Sequence, residues 1–180
     1  MIKIIDKRKI NTQIPAVDIL NQAIPVLKKR NFNGIRNIIL YDEDRRKGKN
    51  ALGTYCPLSP TRADIKIYFS WYYNLPDELK NSDTYLMFAV IKILLHEVYH
   101  HIIHGQDRLK TPDPEQEELD AEIWANGGSY YVFDCLFTNK DYKIEFKKLR
   151  DLINLLRDKP IVSIERIHED CTSHLILNGR

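Results

Sequence analysis

A chain of 180 residues, 43% hydrophobic and 29% charged, has the apolar material for one well-packed domain and little room for a second, and its composition excludes disorder. Its formal net charge of +2, from 27 basic and 25 acidic residues, is too balanced to demand nucleic acid or an anionic membrane as an obligate partner. Three scattered cysteines, Cys56, Cys135 and Cys171, make no disulfide framework and suit a reducing, cytoplasmic setting.

Residues 1–10 are basic but lack the apolar stretch and cleavage site of a secretory signal. Residues 14–29 read as an amphipathic helix, with Val17, Leu20, Ala23 or Ile24, and Leu27 at helical spacing and Pro25 as a kink or early stop. The Ile-rich run 35–41 reads as a strand that ends in a solvated charged loop over 42–49. A second strand begins near Gly53 and is expected to halt at Pro57. Residues 64–70 alternate Ile65, Ile67 and Phe69 with Lys66 and Tyr68, the period of a half-buried strand.

Ser82 or Asp83 can cap a long helix that runs to about His104, with Gly105 placed to end it. Its longest apolar run, 86–95, is broken by Lys92 and is too short to span a bilayer, so no membrane association is expected. Asp113-Pro114 restarts the chain as N-cap and first helical residue of a helix over 115–125. Asn126-Gly127-Gly128 is expected to break or kink it before Tyr130, Val132, Phe133 and Leu136 resume. A further helix is expected over 141–156 and a mixed tail over 162–177. Strands first and helices after give an α+β class.

Four of the six histidines, His96, His100, His101 and His104, fall within nine residues. Positions four apart on a helix lie about 40° round and roughly 6 Å along from each other. His96 and His100 can therefore hold one ion, zinc by the chemistry of the pattern, at about 2.0–2.1 Å each. Glu97, turned about 100° from His96, cannot easily join them, but it can reach a water whose pKa the metal lowers. This is the His-Glu-x-x-His arrangement. The apolar run ahead of it implies a buried helix, where unpartnered imidazoles and a carboxylate would be costly.

A catalytic zinc needs a third protein ligand. His104 lies roughly 12 Å along the axis from His96, too far to share its ion, and is read as a supporting or helix-end group. His101 has no spacing argument. Glu115, Glu118 and Glu122 share a face of the following helix, beside Ala121 and Ala125, which permit close packing. Glu118 is the expected ligand. Glu122 is its rival, or else hydrogen-bonds a ligand histidine from one turn further on. Glu115 and Glu117 are read as acids favoured by the helix dipole.

The pattern His96-Glu97-x-x-His100, a loop, then Glu118-x-x-Ala121-Glu122-x-x-Ala125 resembles the gluzincin zinc peptidases. It is most similar to the small cytoplasmic ImmA/IrrE-type proteins, and in size and motif to the minigluzincins. The likeness covers roughly residues 53–125. The chain departs from the pattern at Glu122, where Asn or Asp is usual, and at Tyr99, where a small residue is usual. The resemblance implies a single zincin-like domain over residues 1–180, with a small mixed sheet above a central His helix. It implies a protein or peptide substrate held along an edge strand, which the strand over 64–70 would supply.

The expected activity is zinc-dependent hydrolysis of peptide bonds, with Glu97 as general base and His96, His100 and Glu118 as ligands. One alternative is a regulatory, partner-binding module with little or no proteolysis. Another is a structural metal site closed by His101, Cys171 or another ligand. Tyr55, Tyr99, Tyr130 and His174 are candidates for stabilising an oxyanion. Trp71-Tyr72-Tyr73 reads as core. Residues 161–180, with His168, Cys171 and His174 at three-residue spacing, read as a solvated tail. The sharper alternative is a self-inhibiting segment offering Cys171 or a histidine to the zinc.

Overall fold

The computed structural model describes residues 2–10, 12–43, 51–59, 61–106 and 113–136. The expected helix over 141–156, the tail with His168, Cys171 and His174, and most of the charged loop lie outside the described residues. The elements run β1 (Lys3–Asp6), α1 (Ala16–Val26), β2 (Ile35–Tyr41), β3 (Gly53–Ser59), β4 (Arg62–Tyr68), α2 (Asp77–Lys80), α3 (Asp83–Gln106) and α4 (Pro114–Leu136). Short 3-10 turns at Lys29–Phe32 and Ser70–Asn74 precede β2 and α2.

The four strands form one mixed sheet in the order β1-β2-β4-β3. β1, β2 and β4 are parallel, and β3 closes one side as an antiparallel edge. Residues 3–6 form a strand too short to show a period of its own in the sequence. This α+β arrangement corrects two expectations. β3 continues through Pro57, because an edge strand tolerates the missing N–H, and its register shifts just beyond, between Pro57 and Ser59. β4 is interior, with Ala63, Ile65, Ile67 and Tyr68 all buried, so it is not the edge strand.

α1 turns Ala16, Ile19, Leu20 and Ala23 inward at helical spacing, and Pro25 falls in its last turn. α3 is the central helix, packed on β3 and β4 on one side and on α1 and α4 on others. Residues 89–98 of α3 are all buried, as expected of a helix enclosed on every side. By length and composition alone α3 could cross a membrane, although 72% of that apolar window is buried inside the fold.

α4 starts where the Asp113-Pro114 signal places it: the Asp113 carboxylate accepts the Glu115 N–H at 3.1 Å. Contrary to expectation, it runs unbroken through Asn126-Gly127-Gly128. Gly128 serves close approach, since a Cβ there would lie 2.8 Å from the Leu95 side chain on α3. Trp71 is buried in the core, as read, while Tyr73 is exposed.

Candidate metal centre

α3 and α4 set a ladder of opposite groups against each other. Lys92, His96, His100 and His104 recur every four residues on α3, and each faces a carboxylate of α4: Glu122 for Lys92, Glu118 for His96, and Glu117 for both His100 and His104. In the middle of this ladder three atoms converge. His96 Nε2 lies 3.2 Å from His100 Nε2 and 3.2 Å from Glu118 Oε2, and the third side, His100 Nε2 to Glu118 Oε2, is 3.4 Å. A tetrahedral ion with ligands at 2.0–2.1 Å requires ligand atoms about 3.3–3.4 Å apart. The triangle therefore has the dimensions of three corners of a zinc tetrahedron. Glu118 Oε2 is buried and makes no hydrogen bond, so it aims at the same point as the two rings without being satisfied by either. On both counts the three side chains fit a bound zinc.

No protein-family model, curated protein or solved structure matches this chain. The chemistry of the site therefore rests on its own geometry.

Behind the triangle, His100 Nδ1 lies 2.6 Å from Glu117 Oε1, a contact that fixes the ring and leaves Nε2 available to a metal. The same Glu117 oxygen is 3.0 Å from His104 Nε2. Glu117 is thus buried and engaged with two histidines, which corrects its reading as a mere dipole-favoured acid; Glu115 remains exposed. The signal that could have revealed it is its place four residues before Ala121 and eight before Ala125, on the packed face of α4. His104 takes the supporting position and stacks on Tyr55, with ring centroids 5.7 Å apart. Together with His100 and Glu117 it forms a second, outer group of metal-ligand type.

Glu122 lies beside His96 rather than in the triangle. Its Oε2 is 3.8 Å from His96 Nδ1, while its Oε1 meets the Lys92 ammonium and accepts from Asn126 Nδ2 at 3.3 Å. Lys92, which the sequence showed only as a break in an apolar run, is buried here.

Glu97 is buried on the shoulder of α3, beneath the edge strand. The Tyr55 backbone N–H donates to its carboxylate. A Cβ at Gly53 would lie 2.7 Å from Glu97 Cγ and 2.9 Å from Cδ, so the glycine makes room for the carboxylate. Burial pushes the Glu97 carboxyl above its ordinary range, opposed by the nearby His96 and His100. Burial alone would depress His96, but Glu118, Glu122 and Glu97 outweigh it and lift the ring to about 9. Burial of His100 is likewise outweighed by Glu118 and Glu97, and its pKa is raised. Burial raises Glu118, and the two histidines overcome that and hold it low.

His101 turns away from this centre. Its Nε2 donates to the Asn33 carbonyl at 2.8 Å, tying α3 to the loop before β2, so it is not placed to close a fourth metal position. Among the oxyanion candidates, Tyr55 lies on β3 beside Glu97, and Tyr99 sits between His100 and Trp124. Tyr130 is exposed and packs on Phe88, about 12 Å along α3 from His96.

Proposed function

We propose that this protein is a zinc-dependent peptidase with a zincin-like domain of the gluzincin kind, acting on protein or peptide substrates. The observation that carries the reading is the triangle of His96 Nε2, His100 Nε2 and Glu118 Oε2 with a buried carboxylate, Glu97, on its shoulder. Two histidines and a glutamate with one open position form the ligand set of a catalytic zinc.

Zinc in this place supplies Lewis acidity, which brings a water within reach of deprotonation at neutral pH. Glu97 is the group that takes that proton. Its raised pKa suits a base that must later act as an acid and protonate the leaving amine. The Tyr55 amide and the bare backbone of Gly53 hold the carboxylate in one orientation. Glu117 orients the imidazole of His100, and Glu122 Oε2 faces His96 Nδ1 at 3.8 Å.

β3 is the strand suited to the substrate. Among the described residues nothing pairs with its outer edge, and it runs along α3 beside Glu97. An extended peptide added there would bring a main-chain carbonyl toward the centre. The sparse, widely spaced cysteines support a cytoplasmic setting.

Glu97→Gln keeps the shape and removes the base. It is expected to lower peptide hydrolysis by at least about 10²–10⁴-fold while zinc content, measured by atomic emission, stays at one per chain. Undiminished turnover by a zinc-loaded Glu97→Gln protein refutes the mechanism.

A further inference from the structure

We infer that Lys92 is a positioning residue of the metal centre, acting on His96 through Glu122; the inference rests on the zinc reading above. Lys92 stands four residues ahead of His96 on the same face of α3, and both are buried. A buried ammonium one helical turn from two metal-binding imidazoles would at first oppose a dication. The structure shows how the charge is used. The Lys92 ammonium is in contact with Glu122 Oε1, and Asn126 Nδ2 donates to that same oxygen at 3.3 Å. With Oε1 held from two sides, the carboxylate is turned so that Oε2 faces His96 Nδ1 at 3.8 Å.

His96 needs that arrangement. A ring that offers Nε2 to a metal carries its proton on Nδ1, and a buried Nδ1–H requires an acceptor. His96 Nδ1 is buried and has no hydrogen-bond partner at present, and a movement of about 1 Å by the carboxylate completes a hydrogen bond with it. His100 already has its acceptor in Glu117 at 2.6 Å. The two ligand histidines are therefore supported from opposite ends of the ladder, His100 by Glu117 and His96 by Glu122.

Charge explains why the supporting residue is a lysine. Glu97, Glu117, Glu118 and Glu122 are four acids gathered around one centre. A buried carboxylate without a cation is costly. Lys92 balances Glu122 before any metal arrives, and so permits a full-length glutamate to stand behind His96.

The test measures zinc affinity by competition with a chromophoric chelator, on the full chain, for the wild type, Glu122→Gln, Lys92→Met and the double variant Lys92→Met/Glu122→Gln. Circular dichroism gives the folded fraction of each. Glu122→Gln and Lys92→Met are each expected to weaken zinc binding by about 10–100-fold. The double variant is expected to bind as Glu122→Gln alone, because Lys92 acts on the centre through the Glu122 carboxylate. If Lys92→Met leaves an uncompensated charge and fails to fold, Lys92→Gln, which removes the ammonium but keeps a polar side chain beside Glu122, is measured in its place under the same expectation. A purely structural lysine would lower the melting temperature and leave the zinc affinity of the folded protein unchanged, which overturns the inference. So does a double variant that binds tenfold or more weakly than Glu122→Gln, since Lys92 then acts by another route. A wild type that binds no zinc overturns the metal reading itself, a distinct result.

Discussion

Replacing Gly53 by alanine adds one methyl group at the place where the edge strand crosses the proposed base. The new Cβ would lie 2.7 Å from Glu97 Cγ and 2.9 Å from Cδ. Carbon atoms prefer about 3.5–4.0 Å, so strand and carboxylate must separate by roughly 1 Å. Glu97 is enclosed on α3 and held by the Tyr55 amide, so it cannot yield without losing that hydrogen bond. A misplacement of about 1 Å at a catalytic group costs around 10²-fold in rate, equivalent to about 2.7 kcal/mol in the barrier. Overpacking adds a stability cost of about 1–3 kcal/mol. The three atoms nearest the added Cβ all belong to Glu97, so zinc content should hold. The assay is the initial rate on internally quenched peptides with matched zinc loading, alongside thermal unfolding. Gly127→Ala is the control: nothing lies within 4 Å of a Cβ there, and alanine in mid-helix should stabilise by about 0.5–1 kcal/mol with activity unchanged. Wild-type turnover by zinc-loaded Gly53→Ala would show that the strand does not aim the base.

Glu118→Ala removes one corner of the triangle and should abolish stoichiometric zinc binding, whereas Glu115→Ala, at an exposed position on the same helix, should leave it intact; isothermal titration with zinc distinguishes them. The metal-free protein should lose stability as pH rises from 6.5 to about 9. His96 has its folded pKa raised from 6.5 to about 9, so its contribution, about 3 kcal/mol, is complete below 6.5 and gone above 9. His100 and Glu97, both raised, act in the same direction. Glu118 is lowered from 4.5, so its contribution is present above that value and is lost in acid. In denaturant titrations metal-free stability should therefore fall between pH 6.5 and about 9; a midpoint that is flat or rising over that range would contradict the pairing of His96 with Glu118.

The features legible in the sequence are those whose cause is local. β2 is a run of Ile and Leu that reads as a strand wherever it lies, and α4 begins at Asp113-Pro114 because a side-chain cap and a fixed φ act within three residues. The failures are tertiary in origin. Proline at position 57 stops a strand only if its N–H is needed, and the order β1-β2-β4-β3 puts β3 at an edge where it is not. Asn126-Gly127-Gly128 breaks a helix only if nothing rewards the helical form. Here Leu95 of α3 occupies the space that a side chain at Gly128 would take, so the glycine is a packing contact inside a continuous helix.

The same distinction divides the site. His96, Glu97 and His100 declare themselves because their relation is internal to one helix, and helical geometry supplies both spacing and direction. Glu118 required a second helix, and the small residues Ala121 and Ala125 gave a reason for its approach. Lys92 left no such trace, and Glu117 left only its spacing from Ala121 and Ala125. An acid in a first helical turn and a lysine in an apolar run each have an ordinary solvated explanation, and only the facing helix replaces it. Once α3 and α4 lie against each other, four-residue steps on α3 meet carboxylates on α4 from Lys92 to His104, and a solvated charge becomes a buried contact at the Lys92, His96 and His100 rungs, while His104 stays half-exposed. Burial raises the cost of leaving any of these groups alone, so the supporting pairs hold the candidate ligand side chains in place. On this argument the three-atom triangle is the visible centre of a longer interface, and substitutions at its ends, at Lys92 or His104, should be felt at its middle.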